Sequence, residues 1–131
     1  VQVPLPPAKA LWRVGIAAER VRSDDPWRGF KSTERGLYDA ARAALPEGLD
    51  EVIFLNENGE LAEGTITNIF LEREDVLLTP PLGAGVLPGV LRAELLDTGR
   101  AREAVLRPED LGRGRLYLGN ALRGLIAAEV I

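Results

Sequence analysis

The sequence predicts one domain of mixed α/β (α+β) class, and three observations carry that expectation. At 131 residues with 46% hydrophobic content, the chain is about one domain long and can build a core. The spacing of its apolar residues changes along the chain, from loose alternation near 11–21 to helical recurrence over 32–45 and then to short β-branched runs. Strand and helix signals are interleaved, and no internal repeat separates them into blocks.

Each element has its own local reason. The opening VQVPLPPAKA carries three prolines and reads as an extended connector over 1–10. LWRVGIAAERV at 11–21 reads as a strand, and RSDDPWRG at 22–29 as a polar turn. Over 32–45, Leu37, Ala40, Ala41, Ala44 and Leu45 fall on one helical stripe; Ser32 or Thr33 can cap the start, and Pro46 with Gly48 ends it. DEVIFLN at 50–56 is an apolar strand, ENG at 57–59 a hairpin turn, and ELAEG at 60–64 the returning strand. The β-branched and aromatic content of TITNIFLER predicts a strand over 65–73, ED turns the chain, and VLLTPP forms another strand. In LGAGVLPGVLRAELLDTGRA a glycine-rich loop with Pro88 runs into a helix predicted over 90–96. The remainder gives a strand at AREAVLR, a short helix at 108–111, a strand at RLYLGN and a terminal strand.

Composition removes several function classes. No apolar run approaches the roughly 18 residues that span a bilayer, and no signal-peptide pattern opens the chain, so no membrane partner is expected. A net charge of −4 with pI near 4.9 leaves no basic stripe for phosphates, which argues against nucleic acid. Without cysteine there are no disulfides or thiolate metal sites; the compartment is undetermined, with cytoplasm the default. Without histidine there is no Ser-His-Asp triad, no Cys-His pair and no imidazole metal cluster, so no metal is expected. The chain begins at Val1 and contains no methionine, which reads as a fragment or a processed product. Carboxylates, tyrosines, threonines and two lysines remain to carry chemistry. Paired carboxylates are available for hydrolysis, but no feature selects a particular pair.

Four places stand out. Lys31, in GFKSTERGLY, is one of two lysines among fourteen arginines, and a lysine amine can lose its proton and attack a carbonyl where arginine cannot. At helical spacing Lys31, Arg35 and Tyr38 share a face, and a neighbouring cation lowers the proton affinity of an amine. A solvated surface lysine is the plainer alternative. The turn before Val90 and Leu91 leaves free backbone N–H groups at a helix start, a place for a phosphate-sized anion, although Pro and Gly are also ordinary helix-start signals. Glu63 stands on a strand beside Gly64, where a flat ligand can approach, or else lies in water at a hairpin edge. Asn120 ends a strand and can donate to an anion, or can simply shape a turn.

Together, FKSTERGLYDAAR, FLNENGELAEGTITNIFLE, LLTPPLGAGVLPGVLRAELL and LYLGNALRG resemble the fold-type IV pyridoxal-phosphate enzymes, the class IV aminotransferases. The similarity covers about residues 28–128, and KSTERGLYDAAR with LGNALRGL looks most like the aminodeoxychorismate lyase branch. The resemblance implies a barrel-like cofactor domain of the D-amino-acid aminotransferase-like fold and the cofactor pyridoxal 5'-phosphate. It implies that Lys31 is the catalytic lysine that forms a Schiff base with the cofactor and then shuttles protons. Glu63 would face the pyridine nitrogen, Val90 and Leu91 would hold the phosphate through their backbone, and Asn120 would add a side-chain contact. Residues 1–131 would be the C-terminal, large domain, with the family's small N-terminal domain absent. A small-molecule amino substrate and a homodimer are implied with it.

Three departures qualify the match. Leu91 stands where relatives often carry threonine, Phe30 where lyase-like relatives often carry histidine, and Gly36 where aminotransferases place a tyrosine against the cofactor's phenolic oxygen. The reaction implied is conversion of 4-amino-4-deoxychorismate to 4-aminobenzoate and pyruvate. The alternatives are a branched-chain or D-amino-acid aminotransferase and a non-catalytic domain that keeps the fold.

Overall fold

The computed structural model describes residues 11–22 and 33–131, with side chains of the first helix described from residue 36. The connector, most of the polar turn at 22–29, the Ser32 cap and Lys31 lie outside the described residues. Within them are strands β1 (Trp12–Val21), β2 (Glu51–Asn56), β3 (Leu61–Gly64), β4 (Asn68–Arg73), β5 (Val76–Thr79), β6 (Ala101–Glu103), β7 (Arg115–Asn120) and β8 (Gly124–Val130). Two α-helices, α1 (Thr33–Ala43) and α2 (Val90–Asp97), and two 3₁₀ segments, Leu82–Ala84 and Pro108–Arg113, complete the order.

The strands pair in the order β3-β2-β1-β8-β7-β4-β5-β6, and a further β3–β4 pairing closes the first six into a barrel. β1 runs parallel to both β2 and β8, and the remaining barrel pairs are antiparallel. β5 and β6 extend the sheet outward from β4. Closure removes the open edges that an isolated sheet would present.

Alternation along the strands sorts the core into an inside and two outer layers. Ile53, Leu55, Ile69, Leu71, Leu116 and Leu118 fill the barrel with Trp12, Val14 and Ile126. Their neighbours Val52 and Phe54 point outward and pack with Tyr38, Leu37 and Ala41 of α1. On another face, Phe70, Leu77 and Ala101 pack with Leu95 of α2, and Tyr117 joins them. Each large side chain buried in this way contributes about 1.5–3 kcal/mol.

One irregularity aims a functional side chain. Leu61 pairs with Leu55 and faces the barrel interior, so simple alternation would send Glu63 inward as well. A register shift between Phe54 and Leu55 instead sets Glu63 opposite Phe54, on the outer face that carries Tyr38. The strand expected over 65–73 begins only at Asn68. Residues 65–67 bend because the buried carboxylate of Glu51 accepts from Thr65 N, Ile66 N and the hydroxyls of Thr65 and Thr67, which draws this backbone out of the ladder. The strand expected at AREAVLR forms only over Ala101–Glu103, and the short helix expected at 108–111 is the 3₁₀ segment Pro108–Arg113. The remaining predicted strands and helices appear near their expected bounds, and the 3₁₀ turn at Leu82–Ala84 is an addition.

Candidate functional site

The outer wall of the barrel carries a cleft of about 220 Å³, bordered by Tyr38, residues 63–68, 87–90, Asn120 and Ala121. Three of the sequence-predicted residues, Glu63, Val90 and Asn120, line it together. Leu91 adjoins it, while Lys31 lies outside the described residues.

Glu63 is 4% exposed, which removes the hairpin-edge alternative. Its Oε1 accepts from the Tyr38 hydroxyl at 3.2 Å and from Leu87 N at 3.1 Å, and Leu87 N also approaches Oε2 at 3.4 Å. The loop that supplies Leu87 is laid across β3 by Asn56, whose Nδ2 donates to Ala84 O at 3.1 Å. The same side chain shapes the β2–β3 hairpin, its Oδ1 accepting from Asn58 N and Glu60 N at 2.9 and 3.0 Å. Such a carboxylate, fixed by donors in the wall of a cleft, is suited to face a cationic N–H.

The helix start is built by close approach. The first helical bond of α2 runs from Ala93 N to Gly89 O, so the amides of Val90, Leu91 and Arg92 precede the ladder at the positive end of the helix. Gly89 is extended at φ −72°, so its conformation does not demand glycine; a Cβ there would instead run into Asn68 Oδ1. Leu91 turns its side chain away from the cleft onto Gly119, where a Cβ would come within 2.8 Å of Leu91 Cδ2. The Leu91 side chain therefore serves packing between α2 and the sheet. Arg92, 4% exposed, clamps the helix to the sheet by donating to Pro80 O at 3.2 Å and pairing with Glu103.

Asn120 bridges two walls of the cleft. Its Nδ2 donates to Ile66 O at 3.0 Å, and its Oδ1 accepts from Arg123 N at 2.8 Å. Among the described residues, one of its two amide protons is therefore taken, and the turn role and the anion-donor role are compatible. Among the described residues, a Cβ added at Gly36 would meet no atom within 4 Å.

Sequence reasoning missed Glu51 and the part played by Tyr38. Glu51 is 0% exposed and organises the 65–67 loop of the cleft, with Arg42 Nη1 at 3.6 Å. The available signal was a charged residue opening an otherwise apolar strand, followed after one hairpin by two threonines in TIT. The guanidinium groups of Arg42 and Arg123 each lie over the Trp12 ring, at 5.9 and 5.5 Å from its centroid. No helix among the described residues is long and apolar enough to cross a membrane.

Comparison with known proteins bears on this geometry. Residues 1–131 match the family described as amino-transferase class IV. A solved structure from Mesorhizobium loti, of a protein assigned as an amino-acid aminotransferase, superposes with a TM-score of 0.89 at 45% identity, covering 98% of this chain and 65% of that one. Aminodeoxychorismate lyase of Saccharomyces cerevisiae is 29% identical, with 83% of this chain and 33% of its own length covered. Branched-chain-amino-acid aminotransferase of Escherichia coli is 34% identical, with 59% of this chain and 25% of its own length covered. The chain thus spans between a quarter and a third of the length of these curated relatives.

Proposed function

Since the chain belongs to the class IV aminotransferases, a family that depends on pyridoxal 5'-phosphate, we propose that it is the large, cofactor-binding domain of a lyase that converts 4-amino-4-deoxychorismate to 4-aminobenzoate and pyruvate. One observation carries the cofactor assignment. A buried carboxylate, Glu63, the amide-bearing start of α2 and the Asn120 amide open on the same cleft. That donor and acceptor set fits a ligand with a basic ring nitrogen at one pole and a phosphate at another.

When bound, the cofactor supplies an electron-withdrawing ring that takes up charge developing on the substrate. Glu63 keeps a proton on the ring nitrogen, because an adjacent negative charge favours the protonated form. Backbone N–H groups of Val90 and Leu91 hold the phosphate, and the remaining amide proton of Asn120 adds to them. Lys31 would supply an amine to hold the cofactor and would carry protons at the substrate carbon.

The lyase reading is supported by KSTERGLYDAAR and LGNALRGL and by the yeast relative. A second reading, transamination between a branched-chain or D-amino acid and a 2-oxo acid, is favoured by the Escherichia coli relative. Incubating the full-length protein with each substrate separates them. Release of aromatic amine supports the lyase, and exchange with a 2-oxo acid without aromatic amine overturns it. The proposal includes a homodimer in the cytoplasm, which sedimentation and cell fractionation test.

A further inference from the structure

Tyr38 has a place that neither the resemblance nor the reading above assigns. Its side chain is buried at 6% exposure, its ring lies 4.9 Å from that of Phe54 at 44°, and its hydroxyl donates to Glu63 Oε1 at 3.2 Å. Leu87 N donates to the same oxygen. One donor comes from α1 and the other from the loop that enters α2, so the carboxylate is gripped by two of the structures that border the cleft.

We propose that Tyr38 is a positioning residue for Glu63: its hydroxyl fixes the carboxylate toward the cleft and holds it in the anionic form that a cationic ring nitrogen requires. Burial alone works against the charged form of a carboxylate, and donated hydrogen bonds oppose that effect. The backbone donor at Leu87 cannot be removed without rebuilding the loop, whereas the phenol is a separable side-chain contribution. The ring itself is held by Phe54, so the hydroxyl arrives at Glu63 with little freedom left to lose. This inference rests on the reading of Glu63 as the partner of the ring nitrogen.

The test is a double-mutant cycle in the full-length protein. Tyr38→Phe deletes the hydroxyl and keeps the ring on Phe54. The dissociation constant for pyridoxal phosphate and the pH dependence of the bound cofactor's absorbance are measured for wild type, Tyr38→Phe, Glu63→Gln and the double variant. Thermal unfolding of each variant is followed in parallel, so that loss of fold is read separately. Tyr38→Phe is expected to weaken binding about ten-fold, the size of one hydrogen bond to a charged acceptor, and to shift the absorbance pH profile. In the Glu63→Gln background the same change is expected to cost less than about two-fold, because the two residues act as a unit. Equal losses in both backgrounds, or an unchanged dissociation constant and pH profile in Tyr38→Phe, overturn the inference. If Glu63→Gln alone binds pyridoxal phosphate as tightly as wild type, the reading of Glu63 fails and takes this inference with it. That result is visible without any change at Tyr38, so the two failures are distinguishable.

Discussion

Replacing Glu51 by glutamine tests how the cleft is built. In the folded chain Glu51 Oε1 accepts from Val52 N at 3.0 Å, Thr65 N at 3.0 Å and Thr65 Oγ1 at 2.5 Å. Its Oε2 accepts from Ile66 N at 3.2 Å and Thr67 Oγ1 at 3.1 Å. Glutamine has the same shape but replaces one acceptor oxygen with a donor. If its carbonyl takes the Oε1 position, the first three bonds persist in neutral form. At the other position the Thr67 hydroxyl can turn to accept, but the Ile66 N–H then faces another donor. One stranded donor costs about 1–3 kcal/mol, and loss of charge assistance on the remaining bonds adds about 1 kcal/mol. The Arg42 contact adds little, because that side chain is 34% exposed and screened. The expected destabilisation is therefore about 2–4 kcal/mol, or a fall of roughly 6–15 °C in Tm. Urea unfolding followed by tryptophan fluorescence measures it, with the exposed Glu109→Gln as a control expected to change stability by less than about 0.5 kcal/mol. A Glu51→Gln variant as stable as the control would refute the argument that this carboxylate holds the 65–67 loop.

Two further outcomes follow from packing around α2. Gly119→Ala places a methyl within 2.8 Å of both Leu91 Cδ2 and the backbone oxygen of Gly124, so it is expected to cost about 1–3 kcal/mol in unfolding experiments. It is also expected to weaken pyridoxal-phosphate binding in a titration, because Leu91 is pushed from behind. Arg92→Met strands the Pro80 carbonyl but also deletes a buried Nε that has no partner among the described residues. The expected loss is about 1–2 kcal/mol, less than for a fully buried ion pair, because Glu103 is 46% exposed and regains water.

Local elements were legible in the sequence where short-range patterning decides them. EVIFLN became β2 with all six positions buried, and the capless run after Pro88 became α2 close to its expected span. What escaped depends on contacts distant in sequence. Barrel closure rests on β1 lying parallel to β8 and on Glu63 meeting Asn68, pairings that no local pattern encodes. The barrel itself was expected through family resemblance, and the β-rich composition alone gave only the mixed class. Residues 65–67 have strand-like composition, yet a glutamate fourteen positions earlier pulls them into a loop. Glu63 was recognised as a candidate by its neighbouring glycine, but its outward aim comes from a register shift invisible at that level. Leu91 stands where relatives often carry threonine, and the structure gives its side chain a packing partner in Gly119.

The proposed function requires an amine at position 31 to meet pyridoxal phosphate held in this cleft, and a sequence with only two lysines makes the test clean. Borohydride reduction of the full-length protein loaded with pyridoxal phosphate, followed by peptide mass analysis, reads the attachment point. The expected result is a pyridoxyl group on Lys31 and none on Lys9. An unmodified Lys31 would contradict it.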